Sequence, residues 1–229
     1  EINRILTDHL SDYLFAPTEK AKQNLQKEGI PDEKIYITGN TIVDAVYQHL
    51  KLAQNNNILE KLQLEPNQYL LLTLHRQENV DREQRLRSIL KGLELVTKEL
   101  QTEIIYPIHP RTQKRIKQFN IKIPKGIRLT PPLDYLSFLK LEANAQLILT
   151  DSGGVQEEAC ILKVPCVTLR YNTERPETIE VGANTLAGTN PQTILQKTKE
   201  MINKKRNWKN PLGDGKAAQR IVNIINQTQ

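Results

Sequence analysis

The amino-acid sequence predicts an α/β fold built on a doubly wound parallel sheet, and three observations carry that expectation. Short apolar runs alternate with segments of helical periodicity from end to end. The apolar run Leu147, Ile148, Leu149 breaks into Ser152, Gly153 and Gly154 and then into a helical pattern, which reads as a strand, a tight turn and a helix start. Polar clusters recur directly after apolar runs, and the carboxyl ends of the strands are where open parallel sheets place their ligands.

Taken in order, residues 2–11 read as a helix, 13–16 as a strand, 18–28 as a helix, 35–38 as a strand, and a long helix starts at Thr41. Two parallel strands cannot bury both faces alone. Residues 1–53 are therefore expected to be the tail of an earlier domain plus a connecting helix. The run Gln54-Asn55-Asn56-Asn57 and the stretch Leu64-Glu65-Pro66-Asn67 mark the boundary with a complete domain over 54–229. In that domain strands are expected over 69–74, 103–108, 127–130, 147–150, 166–169 and 184–186. Helices are expected over 82–100, 113–119 and 135–143, after Gly154, and over 192–204 and 216–226. Ile194, Leu195, Met201 and Ile202 in one of the last two helices, and Ile221, Val222 and Ile225 in the other, are spaced for packing on the sheet, the final helix being free to turn back toward the first domain.

Composition narrows the function classes. The 229 residues are 38% hydrophobic with a formal net charge of +6, and no apolar run approaches the ~20 residues that cross a bilayer. The lysines are scattered among acids, as in Lys197, Lys199, Glu200, Lys204 and Lys205, with no basic stripe interleaved with aromatics. That pattern argues against nucleic acid and against a membrane surface. Cys160 and Cys166 lie in or beside apolar segments, which suits buried free thiols in a reducing compartment, so a cytoplasmic protein is expected. There is no CxxC pair, no HExxH and no carboxylate cluster with metal spacing, and no metal is expected.

The glycine turn carries the strongest chemistry. Gly153 and Gly154 let a ligand approach the backbone, and the first free N–H groups of the following helix favour an anion, of which phosphate is the obvious one. Glu158 falls on the same side of that helix, where a carboxylate can accept both hydroxyl protons of a ribose. Together they suggest a nucleotide-diphosphate seat. His75 to Asn79 (HRQEN) follows the strand over 69–74 and can bind anions and orient a sugar, or simply cap the next helix. His109 and Arg111 sit in a loop stiffened by Pro107 and Pro110, which also suffices to end a strand. Phe138 can offer its ring to a base or pack in the core. Arg175, followed by Pro176 at a helix start, reads as a placed cation or as a surface partner of Glu174 or Glu177.

TLHRQENVD, PIHPRT, PLDYLSF, ILTDSGGVQEEA and RYNTERPETIEVGAN together resemble the non-hydrolysing UDP-N-acetylglucosamine 2-epimerases, and EINR, FAPTEKAKQNL and ITGNTIVDA are similar to the same family just past its midpoint. Gln77 stands where many bacterial members carry a second arginine. The resemblance implies the carboxyl-terminal half of a B-type glycosyltransferase fold, two Rossmann-like domains of which this one holds UDP. It implies backbone near Leu133 and the Phe138 ring on uracil, Ser152, Gly153 and Gly154 on the diphosphate, and Glu158 on the ribose. His75 and Arg175 would complete the contacts, His75 as a catalytic group.

The implied reaction interconverts UDP-N-acetylglucosamine and UDP-N-acetylmannosamine by elimination of UDP to a glycal and re-addition on the other face, without redox cofactor or metal. The implied partners are the nucleotide sugar or UDP, a second copy in a homodimer, and the missing amino-terminal half in cis or in trans, which would carry the acid and base. This chain alone is then expected to bind and not to turn over. A glycosyltransferase of the same fold, or a non-catalytic module binding UDP-sugars, would show a similar nucleotide half.

Overall fold

A computed structural model describes residues 1–227, and they form two compact units, Glu1–Gln48 with the segment from Asn210 onward, and His49–Lys209. In the smaller unit α1 (Ile2–Leu10), β1 (Leu14–Ala16), α2 (Glu19–Lys27) and β2 (Ile35–Ile37) follow one another, and α3 (Thr41–Ala53) begins there. β1 and β2 pair in parallel, Leu14 opposite Ile35. Leu14, Ala16, Ile30 and Ile35 make the unit's core with Ala21 and Leu25 of α2. Thr18 caps α2 by accepting from Ala21 N at 3.1 Å, and Gly29 at φ +88° lets the chain leave that helix.

The larger unit contains α4 (Ile58–Lys61), β3 (Tyr69–Thr73), α5 (Gln77–Val80), α6 (Glu83–Leu100), β4 (Glu103–Pro107), α7 (Pro110–Gln118), β5 (Ile127–Thr130) and α8 (Tyr135–Asn144). It continues with β6 (Leu147–Thr150), α9 (Gly153–Ile161), β7 (Cys166–Thr168), α10 (Pro176–Glu180), β8 (Asn184–Leu186) and α11 (Pro191–Ile202). The sheet order is β5-β4-β3-β6-β7-β8, every pair parallel. Strands run outward one way from β3 and the other way from β6, so the strand order reverses between those two. Crossovers on opposite faces leave a crevice outside their carboxyl ends.

Both faces are covered, which is why the strands are apolar runs rather than alternating ones. Leu70, Leu72, Ile104, Tyr106, Leu147 and Leu149 point to the side of α6 and α11, where Ile89, Leu93, Val96, Ile194 and Met201 meet them. The intervening residues Tyr69, Leu71, Ile105 and Ile148 point the other way, to Leu141 of α8 and Val155 and Ala159 of α9. This period of two, split between two apolar clusters, fixes the register of the sheet and hence where its loops emerge.

Three local features differ from the sequence reading. The helix expected over 113–119 starts at Pro110, because proline is preorganised for the first helical position and His109 caps it, Nδ1 accepting from Arg111 N at 3.1 Å. HRQEN is not an open loop: Gln77–Val80 closes a helical turn. The last helix, α12 (Ala217–Gln227), groups with the smaller unit, where Asp44 accepts from Ala217 N and Ala218 N at 3.1 Å each. Its Val222 and Ile225, expected to pack on the sheet, are exposed.

Candidate functional site

The crevice between β3 and β6 is built around the start of α9. Ser152 stands at the N-cap position, yet its hydroxyl caps nothing, while its own N–H donates to Thr150 Oγ1 at 2.9 Å. The first helix-internal bond there runs from Gln156 N to Ser152 O at 3.3 Å, and no described group accepts from the N–H of Gly153, Gly154 or Val155. A methyl group on Gly154 would meet nothing within 4 Å. Three uncommitted donors at the positive end of a helix make a candidate anion site in physical terms, with Arg76 Nη2 and Glu174 Oε2 3.7 and 3.8 Å from the Cβ position of Gly153.

The adjoining loop is clamped to this turn by Asp151. Its carboxylate is fully buried and accepts from His75 N at 3.1 Å, Arg76 N at 2.9 Å and Asn79 Nδ2 at 3.2 Å. Asn79 Nδ2 also reaches Leu169 O at 3.0 Å, so the ends of β3, β6 and β7 are tied together. The clamp presents the His75 ring with Nε2 3.9 Å from Asp151 Oδ1 and its centroid 5.6 Å from that of His109. Burial holds His75 below the usual imidazole range; Asp151 acts against that, and His109 and Arg76 add to it. His75 is therefore a neutral donor-acceptor at neutral pH.

Glu158 lies on the second turn of α9, buried, with Oε1 accepting from the Tyr135 hydroxyl at 3.0 Å. Burial raises its carboxyl above the usual range; the Tyr135 hydrogen bond opposes this and the charge of Glu157 adds to it. Arg175 pairs with Glu157, Nε 2.6 Å from Oε1, rather than with the side chain of Glu174 or Glu177, and its Nη1 donates to Glu174 O at 3.0 Å. Leu133 and Phe138 are half-buried against the same apolar cluster under α8 and α9, so the Phe138 ring has one side committed to the core. His75, Ser152, Gly153, Gly154 and Glu158 thus converge on β3, β6 and α9, Leu133 and Phe138 border them on α8 and its preceding loop, and Arg175 reaches them through Glu157. Arg111 is turned away from the site, onto Asp81, at 3.1 Å from Nε. No group of three or more His, Cys, Asp and Glu that could hold a metal occurs among the described residues.

The sequence model of the UDP-N-acetylglucosamine 2-epimerases matches residues 1–226. The chain belongs to this family. It is 56% identical over 232 residues to the UDP-N-acetylglucosamine 2-epimerase of Methanocaldococcus jannaschii, covering 98% of this chain and 63% of that protein. To the enzyme of the same name from Escherichia coli it is 34% identical over 241 residues, with 98% and 63% covered. The crystal structure of the M. jannaschii UDP-GlcNAc 2-epimerase in complex with UDP-GlcNAc and UDP superimposes with a TM-score of 0.91 at 57% identity, over 99% of this chain and 64% of that one. The chain therefore spans less than two thirds of the length of these relatives. The wall teichoic acid polymerase TagF, 15% identical with a TM-score of 0.59, shares the fold alone.

Sequence reasoning left out three residues of this candidate site. Asp151 was in view between the strand and the glycine turn, but its donors come from a loop about 75 positions upstream, and nothing local marks it as a clamp. Tyr135 lies in the PLDYLSF run, where Phe138 is the more conspicuous aromatic. Arg170 is nearly buried and binds Glu174 through Nη1 and Nη2 and Glu78 through Nε, all at 2.8 Å, joining the loop after β7 to α5. A bidentate arginine between two loops is visible only once both are folded.

Proposed function

We propose that this chain is the UDP-binding part of an enzyme interconverting UDP-N-acetylglucosamine and UDP-N-acetylmannosamine. The observation that carries the reading is the set of uncommitted N–H groups at Gly153, Gly154 and Val155, placed where the strand order reverses. The diphosphate sits on those donors with Ser152 Oγ, the ribose hydroxyls donate to Glu158, and uracil lies between the Leu133 backbone and the open side of Phe138. Arg175, held by Glu157, supplies positive charge beside the turn.

In the first half of the reaction a base takes the C2 proton, the C1–O bond to UDP breaks, and a C1=C2 double bond forms. In the second half UDP oxygen re-adds to C1 and a proton is delivered to the opposite face of C2. The part of this chain is to stabilise negative charge as it develops on departing UDP, with amides already aimed and His75 as a neutral donor. The acid and base at C2 are assigned to residues outside these 229, in cis or in trans, so the chain alone binds UDP without turnover. The two free, buried cysteines, with thiol pKa values pushed up by burial, support a reducing, cytoplasmic setting.

Calorimetric titration with UDP and with uridine tests the reading. Uridine is expected to bind far more weakly than UDP, and Glu158→Ala to weaken UDP by about 100-fold, since it removes two hydrogen bonds to a charged acceptor. Equal affinity for uridine and UDP, or an unaffected Glu158→Ala variant, would overturn the seat.

A further inference from the structure

The Glu158 carboxylate is oriented from a neighbouring helix. Tyr135, the first residue of α8, donates from its hydroxyl to Glu158 Oε1 at 3.0 Å, and no other described residue donates to that side chain. The phenol is itself placed: its ring meets His49 edge-on, centroids 5.2 Å apart at 82°. Two turns further along α8, on the same face, stands Glu142. That side chain is fully buried and neither of its carboxyl oxygens has a hydrogen-bond partner. Two carboxyls from packed helices in a dry interior do not both ionise. The deeper one, Glu142, keeps its proton: burial first, then the charge of Glu158, push it well above the carboxylate range. Glu158, the less buried of the two, has the one donor that favours its ionised form.

We propose that Tyr135 is a positioning residue for the ribose: its phenol fixes Oε1 of Glu158 and leaves Oε2 to take the sugar hydroxyls, while the buried Glu142 closes the floor behind the pair. The inference rests on the assignment of Glu158 to the ribose. It gives Tyr135 a function that its 40% exposure and small contribution to the core would not suggest. It also couples the ribose grip to pH. The groups facing Glu158 are Tyr135 and Glu142 from α8, Glu157 from its own helix, and Arg175 through Glu157, with Cys166 of β7 behind Glu142. Of these the phenol favours the charged form of Glu158, so without it the carboxyl takes up its proton at higher pH.

The test titrates UDP and 2′,3′-dideoxy-UDP into the wild-type protein and Tyr135→Phe, from about pH 5 to about pH 8. A change in His75 protonation is common to both ligands and cancels in their ratio. Tyr135→Phe is expected to keep the melting temperature, to bind UDP about 5-fold more weakly at neutral pH, and to lose the preference for UDP over the dideoxy ligand at a midpoint about one pH unit higher. The two proteins should bind the dideoxy ligand alike, and Tyr135→Phe should have no further effect in a Glu158→Ala background. An equal loss for both ligands, or an unmoved midpoint, would overturn the positioning role. If Glu158→Ala itself leaves the preference for UDP intact, the ribose assignment fails and takes this proposal with it. If Glu158→Ala abolishes the preference and Tyr135→Phe does not touch it, the proposal fails alone.

Discussion

Four of the helices that begin at the carboxyl edge of the six-stranded sheet differ in how their first turns are closed. At α7 the His109 ring accepts from Arg111 N at 3.1 Å, at α8 Asp134 accepts from Ser137 N at 3.0 Å, and at α11 Asn190 accepts from Gln192 N and Thr193 N at 3.0 and 3.1 Å. At α9 a residue of an equally good capping type, Ser152, leaves its hydroxyl and the next three amides uncommitted. The first three ends are finished by the chain itself. The fourth is left uncapped at the point where the strand order reverses, and the proposed anion seat rests on that difference.

The largest expected effect breaks what holds that end in place. Asp151→Asn removes the charge that gathers His75 N, Arg76 N and Asn79 Nδ2 around a fully buried oxygen pair, and turns an N–H₂ group toward donors. Thermal or denaturant unfolding should show a loss of about 3 kcal/mol. A loss below about 1 kcal/mol would mean that the loop is held by something other than this carboxylate. Next in size is Gly154→Ala. A Cβ there meets no protein atom within 4 Å, and alanine is the better helix former, so stability should rise by about 0.5 kcal/mol. A diphosphate seated on the neighbouring amides, as proposed, would be crowded by the added methyl, and UDP affinity measured by calorimetry should fall by about 10- to 100-fold. Unchanged affinity would make the open end of α9 an idle one.

Much of this contrast was legible before folding, and the limit has a physical cause. The glycine pair after an apolar run specifies a strand, turn and helix because each signal is local: propensity, period and φ freedom. The two-faced core was legible too, since Leu70 to Leu72 and Leu147 to Leu149 are too short and too uniformly apolar for an exposed sheet. The polarity of the loops pointed to the carboxyl edge of the sheet as the candidate site. It did not say which polar residues face it and which hold the others. Asp151 carries no role in the sequence reading and is committed to backbone amides, while Arg175, read as a placed cation or as a partner of Glu174 or Glu177, pairs with Glu157. Such choices are made between segments far apart in the chain, where spacing carries no information.

Capping variants sharpen the comparison directly. Asn190→Ala and Asp134→Ala each remove an acceptor in use and should cost about 1 kcal/mol in unfolding experiments. Ser152→Ala removes an acceptor in no use, and its stability should stay within about 0.3 kcal/mol of wild type while UDP affinity drops. A cost of about 1 kcal/mol at Ser152 would show its hydroxyl to be an ordinary cap in solution and would erase the distinction.

The smallest effect expected is the pH dependence of binding at His75. In the free protein burial holds the imidazole below its usual range, so the folded state takes up its proton later than the unfolded chain does. The stability this group permits is therefore complete above the ordinary imidazole pKa of about 6.5 and falls as the pH drops below it. A bound diphosphate adds negative charge beside the ring and raises its pKa, so binding takes up a proton in the window between the free and bound values. UDP affinity should rise about threefold as the pH falls through that window, and binding enthalpies in buffers of different ionisation heat should reveal the uptake. His75→Gln should abolish the uptake. If the buffer dependence persists in that variant, the titrating group lies elsewhere, with His109, 5.6 Å from His75 between ring centroids, as the next to replace.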